Sequence, residues 1–140
     1  MKKFLSIFLC LSVFASYANA RKRDRLYGQY QEFNEEYFGN KLPKDIIIDH
    51  NEPKMMASTM YLSGIGRFYI SFNDKYTLAE RVADETLLHE QCHIATWSEQ
   101  PTDGTFDQSK RHGPRWRACM LQLDMQGAFR TELIDGYEGN

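Results

Sequence analysis

Two histidines four residues apart, in the run His89-Glu90-Gln91-Cys92-His93, constrain this chain more than any other feature. On a helix, residues i and i+4 share a face, so both imidazoles can reach one metal ion, and Glu90 stands beside the first of them as a general base. The flanks support a helix: Thr86-Leu87-Leu88 precede the run and Ile94-Ala95-Thr96-Trp97 follow, without Gly or Pro. A third imidazole, His112, opens His112-Gly113-Pro114-Arg115-Trp116, where a Gly-Pro pair starts another helix and holds the histidine at its mouth. His89, His93 and His112 are therefore the expected ligands of one zinc ion, with Asp103 or Asp107 as the rival third ligand. Three nitrogens leave one tetrahedral position for water, the mark of a catalytic rather than a structural zinc. Zinc lowers the pKa of that water toward about 7, and Glu90 is placed to take its proton. Glu85, one turn earlier, is the reserve carboxylate and otherwise a helix residue that supports a ligand histidine.

The surrounding pattern is mixed. Leu26, Tyr30, Phe33 and Tyr37 recur at helical spacing, giving an amphipathic first helix over Arg23 to Phe38, ended by Gly39-Asn40. Ile46-Ile47-Ile48 reads as a strand, Met56 to Leu62 as a second and Arg67 to Phe72 as a third, the last two joined as a hairpin by Ser63-Gly64-Ile65-Gly66. The central helix is expected from about Thr77 to Trp97, apolar on most sides and so in the middle of its domain. A polar loop, 98–110, leads to a final helix from Gly113 or Pro114 to about Met125, whose His112, Trp116, Cys119 and Leu123 face should meet the central helix. The fold class is α+β. The Arg67 to Phe72 strand is the candidate edge on which an extended substrate would pair.

Composition bounds the rest. The chain has 140 residues, 42% hydrophobic and 14% aromatic, enough for one packed domain. Lys2-Lys3, the apolar run Phe4 to Ala15 and Ala18-Asn19-Ala20 have the layout of a secretory signal peptide over residues 1–20, leaving 21–140 as the functional domain. Cleavage would remove two of the 17 basic and none of the 19 acidic residues, for a mature charge of −4, which does not by itself point to nucleic acid. The expected destination is outside the cytoplasm, periplasmic or extracellular. Arg21-Lys22-Arg23 and Arg25 keep a second arrangement open, an uncleaved membrane anchor with the domain on the cytoplasmic face, although the apolar run is short against the roughly 20 residues of a span. Cys10 leaves with the signal peptide. Cys92 and Cys119 are too few for a disulfide framework or a zinc ribbon, and two readings stay open. They are small core residues, or, in an oxidising compartment, a disulfide across the seam between the two ligand-bearing helices. Lys110-Arg111 with Arg115 and Arg117 is a solvated helix start or a substrate or polyanion contact, and His50 reads as an ordinary surface or turn residue.

The run Glu85-Thr86-Leu87-Leu88-His89-Glu90-x-x-His93, then His112-Gly113-Pro114 with Trp116 and Met120, resembles the SprT-like zinc metallopeptidases, the family that includes the protease domain of Spartan. Upstream, Phe33-Asn34, Tyr37-Phe38 and Leu42-Pro43 resemble that family's first helix and its exit, so the likeness covers about residues 25 to 125. It implies a zincin-like fold with an N-terminal helix, a small three-stranded sheet, a central His-Glu-x-x-His helix and a C-terminal helix. It further implies a zinc metalloendopeptidase acting on a protein or peptide, with Glu90 catalytic. The chain reads as lacking the cysteine-rich zinc module that often follows this domain. Arg67, Tyr69 and Arg115 are the candidate substrate contacts, and Tyr61, Tyr69 and Arg115 are eligible to stabilise an oxyanion. Two alternatives accompany this reading: a protease acting on DNA-bound proteins, and a non-catalytic binding module clamped by zinc.

Overall fold

The computed structural model describes residues 25–99 and 111–129. The first helix, α1, occupies residues 25–38 of this range and ends where the chain turns left-handed at Gly39 (φ 59°) and Asn40 (φ 60°). Glycine bears a positive φ at no steric cost, and Asn tolerates it better than most residues. The exit from α1 is fixed by Asn34, which is fully buried. Its Nδ2 donates to the Leu42 carbonyl and its Oδ1 accepts from the Leu42 amide, both at 3.0 Å.

Three strands follow, β1 (Ile46–Asp49), β2 (Ala57–Leu62) and β3 (Arg67–Phe72). The β2–β3 hairpin forms as expected, closed by the amides of Ile65 and Gly66 on the Leu62 carbonyl, with Gly66 at φ 67°. The sheet order is β1-β3-β2, which corrects one expectation: Arg67–Phe72 is the central strand and not an edge. β1 pairs with it in parallel, Ile46 opposite Phe68, while β2 pairs antiparallel on its other side. The physical reason lies in its composition. Ile70, Ser71 and Phe72 are consecutive and all buried, so the strand is covered on both faces, as an interior strand must be. The edge beside the candidate ligands is therefore β2.

Helix α2 (Glu80–Ala95) starts three residues later than the apolar pattern suggests. The Asn73 carbonyl accepts from the Tyr76 and Thr77 amides and from the Thr77 hydroxyl, so Thr77 closes a turn instead of capping the helix. At its other end Thr96 bonds back to the Cys92 carbonyl, and a short 3-10 turn, Trp97–Glu99, follows. Helix α3 (Pro114–Met125) begins as expected, with Gly113 as the extended cap and Pro114 in the first turn. α2 is buried on two sides. Ala83, Leu87 and Ile94 pack with Leu26, Tyr30, Ile70 and Phe72 in the main core. Leu88 and Cys92 pack with Leu123, Trp116 and Met120 in a second cluster. The architecture is α+β, with a three-stranded sheet on one side of the central helix and α3 on the other.

His50, expected as a surface or turn residue, lies in the bend after β1 but is not a surface side chain. Its side chain is 3% exposed, its Nδ1 lies 2.5 Å from Asp74 Oδ1, and its ring sits 5.9 Å from that of Phe72. The N-terminal segment 1–20 and the start of the first helix at Arg23 lie outside the described residues.

Asn34→Ala is expected to destabilise the fold by about 3 kcal/mol, because it strands a buried amide and a buried carbonyl at once. Chemical denaturation of the variant beside wild type measures this, and a loss under about 1 kcal/mol would mean that water replaces the side chain.

Candidate active site

α2 carries Val82, Thr86, His89 and His93 along one stripe, and the stripe forms one wall of a cavity of about 430 Å³. β2 supplies Ala57, Ser58 and Thr59 to the same cavity, and His112 reaches it from just before α3. The Nε2 atoms of His93 and His112 each lie 3.2 Å from Nε2 of His89. One ring nitrogen cannot satisfy two such neighbours with a single proton, so three converging imidazoles lack an internal solution to their own lone pairs. They suit a shared cation. Tetrahedral nitrogen ligands at 2.0–2.1 Å stand about 3.3 Å apart, close to the separations found. Among the described residues these three histidines are the group able to hold a metal ion. The rival aspartates, Asp103 and Asp107, lie outside the described residues.

Burial tunes these rings. The pKa of His89 falls to about 4, through desolvation and then the neighbouring His112. That of His93 falls to about 3, through desolvation and then His89, His112 and Arg111. Both rings are thus neutral, hence competent to ligate, at any pH near neutrality. Trp116 walls the cluster, its ring centroid 4.7 Å from His89, 5.5 Å from His93 and 4.2 Å from His112. The backbone of His112 is held in turn by Arg117, whose Nε donates to its carbonyl at 3.0 Å.

Glu90 is 4% exposed, and its Oε2 accepts a 2.6 Å hydrogen bond from the Thr59 hydroxyl on β2. Burial raises its pKa to about 7; the Thr59 bond and Arg111 pull it down, and Glu52 pushes it up. The sequence offers no local sign of Thr59, which is 31 positions away and lies on what proves to be the edge strand. Glu85 does line the cavity, and its carboxylate accepts from Arg81 at 3.0 Å, one turn back on the same helix.

The other candidates are dispersed. Arg67 pairs with Asp45 at 2.8 Å, and the Tyr69 hydroxyl donates to Asp49. Neither lines the cavity, nor does Tyr61, whose ring packs 5.0 Å from Phe68. Arg67 and Tyr69 alternate along β3 with Phe68 and Ile70, which pack on the core, and so stand on the other face of the sheet. Arg115 faces a separate groove with Tyr37, Phe38 and Thr96. Of the basic cluster, Arg111 is the member that lines the cavity.

Cys92 and Cys119 form a disulfide, with Cα atoms 5.8 Å apart. The open choice between core thiols and a cross-link is thus resolved in favour of the link, which joins α2 to α3 beside the three histidines.

A helix-borne His-Glu-x-x-His, a third histidine at the mouth of the next helix, and a small sheet with its edge strand against the glutamate define a metallopeptidase-like domain of zincin-like fold. A family model described as the SprT-like family matches residues 26–134, and the chain belongs to that family. No solved structure matches the chain.

Removing the disulfide through Cys92→Ala with Cys119→Ala should lower stability by about 3.5 kcal/mol, for a separation of 27 residues. It should also speed loss of a bound metal ion to a chelator, since His112 lies just before α3. Denaturation midpoints and chelator competition read the two effects separately, and equal metal retention would confine the bond to a stability role.

Proposed function

We propose that this domain is a zinc-dependent endopeptidase that hydrolyses protein or peptide substrates. The convergence of three imidazole nitrogens, two of them on rings held neutral by burial, beside a buried carboxylate carries this reading. His89, His93 and His112 would hold one zinc ion, which supplies a Lewis acid for the scissile carbonyl and lowers the pKa of water. Imidazole donors without thiolate or added carboxylate fit zinc and leave a position for chemistry.

The chain's own residues do the rest. Glu90 takes a proton from the attacking water and delivers it to the leaving amine, so no covalent intermediate forms on the protein. A carboxylate with a pKa raised to about 7 by burial is matched to both halves of that task near neutral pH. Thr59 holds the carboxylate in one orientation. The free edge of β2, which pairs only with β3 among the described residues, supplies main-chain groups for an extended substrate. Arg111, at the cavity wall, is the cation placed to meet a polarised carbonyl or a substrate carboxylate. An intact Glu90, buried and oriented, favours catalysis over a zinc clamp in a binding module. We further propose export to an oxidising compartment, which the leader-like segment 1–20 and the Cys92–Cys119 bond support. No helix among the described residues is long and apolar enough to cross a membrane.

Glu90→Gln should keep zinc and fold while casein hydrolysis falls by about 10²–10⁴-fold. His112→Ala should lose most zinc, and Asp103→Ala and Asp107→Ala should retain it. Elemental analysis of purified variants decides the ligand set, and full zinc in His112→Ala would replace His112 by another ligand. Thr59→Val should lower kcat with little change in KM, and Thr59→Ser should restore it, because the hydroxyl orients the base rather than the substrate. Unchanged kcat in the valine variant would remove Thr59 from the mechanism.

A further inference from the structure

The cavity extends along α2 well beyond the three histidines. Val82 precedes His89 by seven residues, about 10 Å of helix, or about three residues of an extended chain. β2 runs in the same sense. Thr59 contacts Glu90, while Tyr61 packs on Phe68, which in turn meets Trp97 beyond the end of α2. Met55 and Met56, just before β2, therefore lie toward the start of α2, with Val82 and Thr86. Phe129 closes the same end, since its neighbour Ala128 lies in a groove with Glu80, Arg81 and Asp84.

The two methionines are exposed, Met55 at 37% and Met56 at 45%, yet their loop is firmly held. Glu52 Oε1 accepts from the amides of Lys54 and Met55 at 3.0 and 3.1 Å, and its Oε2 accepts from the Ser58 hydroxyl at 2.6 Å. The Glu52 amide bonds the Phe72 carbonyl and the Met56 carbonyl accepts from Asn73, which fastens the loop to the end of β3. Adjacent residues of the edge strand are thus each tied to a carboxylate, Ser58 to Glu52 and Thr59 to Glu90. The result is an apolar wall that is ordered but open to solvent. Its unbranched, polarizable side chains adapt to the shape of what they cover.

We propose that this half of the cleft is an apolar subsite, and that Met55 and Met56 select substrates with a bulky hydrophobic side chain on one side of the scissile bond, within about three residues of it. The inference rests on the peptidase reading of the same site. Among the described residues that line this end of the cavity Glu85 is the charged one, and it is paired with Arg81. Covering two exposed methionines with a Leu or Phe removes apolar surface from water on both partners, and full burial of such a side chain corresponds to roughly 10- to 100-fold in affinity.

The test uses the zinc-loaded protein and a polar Gly/Ser/Asn peptide in which one Leu or Phe is moved position by position. Wild type is expected to cleave best, by at least about tenfold in kcat/KM, when that residue falls at one register on one side of the bond. Met55→Ser with Met56→Ser should cut this preference to under about threefold while keeping zinc, the preference being read as a ratio between registers within the one variant. Equal cleavage at every register, or a preference that survives in the double variant, overturns the proposal. Peptide affinity for zinc-loaded Glu90→Gln, with and without the methionine substitutions, tests the subsite without turnover. If wild type cleaves no peptide, the peptidase reading fails. The subsite then stands or falls on whether the Leu and Phe peptides bind at least about tenfold tighter than the polar one and lose that advantage with the methionines.

Discussion

From Thr86 to Ile94 helix α2 has no spare side, and that constraint organises the molecule. Ala83, Leu87 and Ile94 belong to the main core, Leu88 and Cys92 to the core under α3, and His89, Glu90 and His93 to the cleft. Even the polar Gln91 is fully buried, with its Nε2 donating to the Tyr30 carbonyl of α1. A helix used in this way cannot rotate or slide without breaking packing on opposite flanks, because protein interiors tolerate little change in volume or shape. Its imidazoles are consequently aimed by the core. That economy has a chemical side. The same burial that stabilises the fold desolvates the rings and the carboxylate, holding His89 and His93 neutral and Glu90 protonated more readily than an exposed glutamate.

Much of this was legible before any coordinates. The i, i+4 histidines, the helix around them and the Gly-Pro start that presents His112 are local signals, and the structure brings all three rings together. Helix α1, the hairpin and α3 followed from periodicity and turn chemistry for the same reason. What local patterns could not show was lateral order in the sheet. From sequence β3 is the candidate edge, but the parallel pairing that puts β1 on its far side is a long-range event. The near-continuous Phe68-Tyr69-Ile70 and the buried Phe72 were the available hint of an interior strand.

The consequences of that one misplacement spread. With β3 central, Arg67 and Tyr69 are engaged by Asp45 and Asp49, and the residue that touches Glu90 is Thr59 on the true edge. A hydroxyl in the middle of a strand looks like any other strand threonine, and no spacing rule ties position 59 to position 90. The start of α2 was missed for a comparable reason. Thr77 is an eligible cap by type, but its hydroxyl is engaged by the Asn73 carbonyl behind it.

The Cys92–Cys119 bond closes a loop of the chain, and the His93 to His112 segment lies wholly inside it. The two closures are nested. Once the outer one is made, the ends of the inner segment are already neighbours, and bringing two imidazoles together across 19 positions carries little of the entropy it would carry in an open chain. A metal ion entering this centre would dock between fixed donors rather than fold a peptide around itself. Among the described residues three histidines make up the candidate centre, and the outer loop adds through topology a restraint on their separation beyond what three donors alone would give.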